Sequence, residues 1–295
     1  MLRLLIPALS FTFIGTAAMA EPPRVAADVL PIHSLVAQVM AGIGQPELIV
    51  PAGASPHDHA LRPSEARTIA RADVIIWGGE TLSPWLVKGQ STLAGDAVTV
   101  DLNALPRTTL HQNRTDHHHD DDGDGGDHHG HDPHSWLDPS NGKLWLAEIA
   151  KVLAKTDPKN AATYHTNAIL GADRIDLVLG SMSVPGTAQM AVYHDAYQYF
   201  EAAFGLPEPL IISESDASPP GAAHVVEVRE VLATGAYACL LAEPGYSPQL
   251  ARRLAEGTET RIVLLDPLGS EFTPGPDLYP ALLAHMGEQF MACAG

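Results

Sequence analysis

The sequence predicts an α/β protein of two lobes, each a mostly parallel sheet flanked by helices, joined by one long linker helix. Three observations carry this expectation. Short apolar runs alternate with helical periods in both halves of the chain, which implies parallel strands with crossover helices. A mature chain of about 275 residues exceeds the roughly 150 of an average single domain. Between the halves, Lys159 to Met182 has no strong break except Gly171. At 1.5 Å per residue a helix of about 25 residues spans about 37 Å, enough to pass from one lobe to the other.

In chain order, residues 1–20 read as an export signal. Arg3 supplies the positive start, Leu4 to Ile14 the apolar run, and Ala18-Met19-Ala20 the small-x-small cleavage site. The run is too short to span a bilayer. No cysteine follows the cleavage site, so the expectation is a soluble periplasmic protein without a lipid anchor. In the N-terminal lobe, residues 21–156, Val25 to Leu30, Leu48 to Val50, Asp73 to Trp77 and Ala97 to Leu102 are expected strands. Ile32 to Met40, Pro63 to Arg71 and Ser140 to Ala154 are expected helices. Asp157 with Pro158 marks the start of the linker, residues 157–183. The C-terminal lobe, residues 184–295, repeats the alternation. Its expected strands are Met190 to Tyr193, Leu210 to Ser213, Tyr237 to Ala242 and Arg261 to Leu265. Its expected helices are Tyr197 to Phe204, Ala222 to Ala233, Pro248 to Ala255 and Leu278 to Ala292.

The chain carries 17 Lys and Arg against 35 Asp and Glu, a net charge of −18, and loss of Arg3 with the leader makes it one unit more negative. Such a surface repels nucleic acid and anionic membranes and attracts cations. Nucleic acid is excluded as a partner. The two cysteines, Cys239 and Cys293, read as one disulfide in an exported protein. Closing that loop of about 55 residues stabilises by roughly 4 kcal/mol in the chain-entropy model.

Four polar segments fall where α/β folds place ligands, in loops after strand ends. They are Ala54-Ser55-Pro56-His57-Asp58-His59, Pro133-His134-Ser135-Trp136-Leu137-Asp138-Pro139, Tyr193-His194-Asp195-Ala196-Tyr197 and Leu265-Asp266-Pro267-Leu268-Gly269. Two lie in each lobe, so a site built from them would sit in the cleft. With Leu61-Arg62-Pro63-Ser64 and Ala242-Glu243-Pro244, their order and spacing resemble the zinc-specific, ZnuA-like substrate-binding subunits of bacterial ABC importers. The resemblance covers nearly the whole mature chain and includes the His/Asp-rich insertion and the placement of both cysteines.

That resemblance implies His57, His134 and His194 as metal ligands. Three imidazoles make a borderline-soft site suited to Zn²⁺, with nitrogen at about 2.0–2.1 Å. His194 stands where manganese-binding relatives carry a carboxylate, which favours zinc. Some zinc relatives place a glutamate before the first histidine; Pro56 stands there and brings no donor. Asp266 is the remaining protein candidate for a fourth ligand, with water as its competitor. Asp266 could instead cap a turn or hold a histidine from behind.

Residues 111–132 form a His/Asp-rich loop with no apolar period. It reads as a solvated acidic linker or as weak, multi-site zinc capture by His117, His118, His119, His128, His129 and His131. Deleting residues 117–131 is expected to lower zinc stoichiometry but keep one tight site. His59 could join a second site with this loop. His33, His165, His224 and His285 read as surface, capping or helix-face residues.

The resulting expectation is a monomeric, high-affinity periplasmic zinc-binding protein that delivers Zn²⁺ to an ABC-type permease, with modest rocking of the lobes because the long helix resists bending. A zinc hydrolase is the competing reading, but the chain has no His-Glu-x-x-His helix or similar pairing. A zinc buffer without a permease shares the same chemistry. Imidazoles with a reference pKa near 6.5 must release protons to zinc, so affinity should fall below roughly pH 6.

Overall fold

The structure, a computed structural model, describes residues 21–114, 130–184, 189–213 and 220–294. The expected leader and most of the His/Asp-rich loop lie outside the described residues.

The N-terminal lobe runs β1 (Val25–Ala27), α1 (Leu30–Val39), β2 (Glu47–Leu48), α2 (Pro63–Arg71), β3 (Val74–Trp77), α3 (Pro84–Leu93), β4 (Val98–Asp101) and α4 (Pro139–Thr156). After α5 (Ala161–Ser181) come β5 (Met190–His194), α6 (Gln198–Phe204), β6 (Leu210–Ser213), α7 (Ala222–Leu232), β7 (Cys239–Ala242), α8 (Pro248–Ala255), β8 (Arg261–Leu264) and α9 (Leu278–Ala294). Each lobe holds a four-stranded sheet, ordered β2-β1-β3-β4 and β6-β5-β7-β8. All these strand pairs are parallel. The two lobes therefore repeat one topology, and in each the two central strands, β1 and β3 or β5 and β7, are buried on both faces, as in covered parallel sheets, while β4 and β8 at the edges are largely exposed.

Alternation along the strands shows the two faces. In β3, Val74 and Ile76 join the large central core, while Ile75 and Trp77 pack under α2 and α3 with Ile69 and Leu86. In β7, Cys239 and Leu241 face the central core, and Leu240 and Ala242 face an outer layer with Val228 and Leu254. This is the two-residue period of a strand covered on both sides.

The central core is continuous across the lobes. It links Ile32 and Leu35 of α1, Trp145 and Ile149 of α4, Ile175 of α5, Val192 of β5 and Phe290 of α9. The chain's last helix turns back toward the first lobe: α9 packs on α1 and α5. Tyr279 donates from its hydroxyl to the Trp136 carbonyl (2.6 Å) and from its amide to Ser34 Oγ (2.9 Å). A side chain at Gly142 would run into the Tyr279 ring, so this close approach of α4 and α9 requires glycine. Cys239 and Cys293 are disulfide-bonded with Cα atoms 5.6 Å apart, tying α9 to β7.

Several local expectations change; the second strand, for one, is Glu47–Leu48 rather than Leu48 to Val50. α3 was not foreseen, since Gly89, Ser91 and Thr92 blunt its helical signal; it starts at Pro84, a favoured first-turn residue. The first expected strand, Val25 to Leu30, ends at Ala27, and its last expected residue, Leu30, begins α1. The linker opens with a 3₁₀ turn over Pro158–Asn160. Asp157 accepts side-chain donors there, from Asn160 (2.7 Å) and Tyr164 (3.0 Å), rather than capping a backbone amide. α5 then runs 21 residues, about 32 Å at helical rise. Among the described residues no helix is long and apolar enough to cross a membrane.

Candidate metal centre

The C-terminal ends of the strands in both lobes converge on a cavity of about 170 Å³. His57, His134, His194 and Asp266 line it together with Glu243 and Tyr246.

His57 lies in the loop after β2. Trp85 of α3 donates to the Pro56 carbonyl (2.7 Å), and the His57 amide donates to Ser55 Oγ (3.2 Å). Gly53, at φ 78°, supplies the left-handed turn that lets this loop fold back. His57 is half-buried, whereas His134 and His194 are almost fully buried.

His134 precedes the 3₁₀ turn Ser135–Leu137. Asp132 holds it twice: Oδ1 accepts its amide (2.9 Å) and lies 2.8 Å from Nδ1. Trp136 meets its ring edge-on, with centroids 5.3 Å apart. His194 ends β5, and its Nδ1 lies 2.6 Å from Glu243 Oε1, just beyond the end of β7. Tyr246 covers His194 (centroids 5.5 Å apart) while stacking on Tyr193 (4.3 Å). Each buried histidine thus has a carboxylate on Nδ1, which fixes the ring and leaves Nε2 for the cavity.

The two Nε2 atoms stand 3.3 Å apart. Two nitrogens on a tetrahedral zinc at about 2.0–2.1 Å are separated by about 3.3–3.4 Å. With a carboxylate oxygen beside each Nδ1, the two Nε2 atoms are the ring nitrogens placed to meet a shared cation. The His57 and His134 rings lie 5.4 Å apart, and His134 and His194 5.1 Å. Among the described residues no three metal-binding side chains are already closed into a cage. The preset part is the His134–His194 pair.

Asp266, after β8, accepts Leu268 N–H on Oδ1 and Ser270 N–H on Oδ2, each at 2.8 Å. The capping role foreseen for it is present. Carboxylate oxygens carry two lone pairs each, so the turn orients Asp266 and leaves it able to accept a metal or its water.

Other sequence candidates sit elsewhere. His59 turns to α2, with Nε2 2.8 Å from Glu65 Oε2 and its ring against Trp85. His117, His118, His119, His128 and His129 lie outside the described residues. His131 pairs with Gln112 in an antiparallel bridge at the foot of the loop. His33 is buried with Nε2 at the Pro46 carbonyl (3.1 Å), and His285 pairs with Glu271 (3.2 Å). The sequence reading assigned no part to Asp132 and Glu243. Their signals were present in the Asp132-Pro133-His134 spacing and the Ala242-Glu243-Pro244 segment, but the second partner of each pair is known only from folding.

The sequence profile described as "Zinc-uptake complex component A periplasmic" (ZnuA) matches residues 25–293. The chain belongs to the ZnuA family. A ZnuA from Paracoccus denitrificans, named "High-affinity zinc uptake system protein ZnuA", is 39% identical over 96% of both chains. A crystal structure of ZnuA superposes with a TM-score of 0.78 at 18% identity, covering 93% of this chain and all of that one. The manganese complex of the Pseudomonas aeruginosa substrate-binding protein FpvC superposes nearly as well, with a TM-score of 0.76 at 18% identity, covering 93% of this chain and 98% of the other. The fold is thus shared with a protein whose structure was determined with another metal.

Proposed function

We propose that this chain is a high-affinity periplasmic zinc-binding protein that captures Zn²⁺ and delivers it to an ABC-type membrane permease. The observation that carries the reading is the His134–His194 pair, one histidine from each lobe, with Nε2 atoms 3.3 Å apart and carboxylates behind both rings. The uptake role named for its relatives and the family it belongs to support the delivery step. Zinc is the cargo. His134 and His194 receive it, His57 closes on it from the more exposed loop, and Asp266 completes four-coordination. Three imidazoles favour Zn²⁺ over harder cations, which prefer oxygen.

The chain is a transport component and not an enzyme. Glu243, the carboxylate that a hydrolase would need as a base, is engaged with His194 Nδ1. The remaining parts of the reading are a cleavable leader of residues 1–20, lobes of residues 21–156 and 184–295 about the 157–183 linker, and auxiliary capture by the His/Asp-rich loop. The protein works as a monomer, because one chain supplies donors from both lobes.

Zinc titration against a competing chelator tests the site. His134→Ala and His194→Ala are expected to abolish tight binding, and Asp266→Ala to weaken it at least about tenfold. Tight binding that survives loss of His194 would refute the site. Unchanged affinity in Asp266→Ala would leave water as the fourth ligand.

A further inference from the structure

The loop that carries the His/Asp-rich run returns to the fold through a short stem. Gln112 and His131 form its antiparallel bridge, and Asp132 N–H donates to the His111 carbonyl (2.9 Å). This stem is held on α6 of the opposite lobe. The Tyr199 hydroxyl donates to the Asp132 carbonyl (2.8 Å) and accepts His111 N–H (3.0 Å). Turned so that its nitrogen faces these acceptors, the Gln198 amide donates to Asp132 Oδ2 (3.0 Å) and the Gln112 carbonyl (3.1 Å).

Arg114 stands at the foot of the loop and is 16% exposed in its side chain. Its Nη1 donates to Asp195 Oδ1 (2.7 Å), and its Nη2 pairs with Glu201 of α6. The Asp195 and Glu201 side chains are 11% and 5% exposed. Burial dominates and holds Asp195 at about 6 and Glu201 at about 7, even with the guanidinium beside them lowering both. Asp132 adds a third carboxylate to the same field. A forked guanidinium suits such a place, because it binds two carboxylates at once in fixed geometry.

These contacts form one chain of bonds between the two buried histidines: His134 to Asp132, Asp132 to α6, α6 through Glu201 to Arg114, and Arg114 to Asp195, the residue after His194. The cleft has no covalent tie at this point, yet the metal needs the two Nε2 atoms within a few tenths of an ångström of the tetrahedral spacing. We propose that Arg114 is a positioning residue for zinc capture: it clamps Asp195 and Glu201 of the C-terminal lobe to the stem of the N-terminal lobe and so sets the spacing of His134 and His194. The inference rests on the zinc site proposed above but places Arg114 outside the coordination sphere.

The test compares the full mature chain with Arg114→Ala, Arg114→Lys and Glu201→Gln. The readouts are zinc affinity by chelator competition, zinc release rate by stopped flow, and the visible spectrum of the cobalt(II)-loaded protein. The Ala variant should keep one tight-site equivalent of metal, lose at least about tenfold in affinity through faster release, and shift the cobalt bands, which report ligand geometry. Glu201→Gln should move the same way, and Arg114→Lys should recover part of the loss because it restores charge without the fork. A generally loosened fold would lower the melting temperature without such rescue or band shift. If Ala does not fold, Lys and Glu201→Gln decide the matter on the same readouts. Release rates and cobalt spectra equal to wild type in the folded variants overturn the proposal. His194→Ala, run alongside, separates the two ideas: tight binding in that variant sinks the site itself, whereas its loss beside an unaffected Arg114→Ala sinks the clamp alone.

Discussion

At the scale of single residues, buried carboxylates organise both the loops and the ligands. Asp28 is fully buried between the loops that follow β1 and β3. Its Oδ1 accepts Val29 N–H (2.9 Å), and its Oδ2 accepts Gly78 N–H (2.9 Å) and the Ser83 hydroxyl (3.3 Å). Burial outweighs those donors and lifts its pKa from 3.8 to about 6. A folded-state pKa above the unfolded value means the protonated form is favoured by folding. The stabilisation is fully present below pH 3.8 and is lost as pH rises through about 6. The shift corresponds to about 3 kcal/mol. Urea unfolding of the zinc-free protein and of Asp28→Asn should show wild type losing about 3 kcal/mol relative to the variant between roughly pH 4 and pH 7. A difference that stays flat over that range contradicts the assignment. Asp132 and Glu243 use a buried carboxylate differently, each set against Nδ1 of a histidine ring and so directing that ring.

At the scale of elements, the site is assembled from strand ends and short loops, and the His/Asp-rich loop is attached to it through the Gln112–His131 bridge. The donors that meet in the cavity lie at His57, His134, His194 and Asp266, all outside the acidic run. Deleting residues 117–129, which spares the bridge, should lower total zinc stoichiometry and preserve one tight equivalent in equilibrium dialysis. Loss of the tight equivalent would mean that the loop supplies a ligand. The legible and illegible elements divide on the same physical ground. α2 and α8 match their expected bounds because both start at proline and have strong amphipathic periods. α3 escaped because its small and polar residues carry little period.

At the scale of the whole molecule, the lobes share one apolar core, and three links beside it cross from the C-terminal segment to the first lobe. Trp136 donates to the Pro267 carbonyl (2.8 Å), and Tyr279 binds Trp136 and Ser34. Opening the cleft widely would expose that core, and α5 spans the back as a continuous helix of 21 residues. Small rocking is the motion this construction permits. X-ray scattering of zinc-free and zinc-loaded protein should give radii of gyration near 19 Å that differ by less than about 1 Å. A change of several ångströms would show a hinge that the shared core does not allow.

By itself the sequence determined the alternation of strands and helices, the two repeated halves, the acidic cation-attracting surface, and the histidines and aspartate that now line one cavity. The first three follow from local periodicity, turn chemistry and net charge, each readable within a short window, whereas the choice of His57, His134, His194 and Asp266 among the polar loops came from the family resemblance. The tertiary structure alone decided that β7 and β5 bring Glu243 to His194 and that Asp132 backs His134. It also decided that Arg114 reaches Asp195 and Glu201, residues 81 and 87 positions away, and that α9 returns to pack on α1. Such pairings depend on strand order and on which faces are buried together. No local pattern encodes them, because the same side chains would suit a solvated surface equally well until the two lobes enclose them.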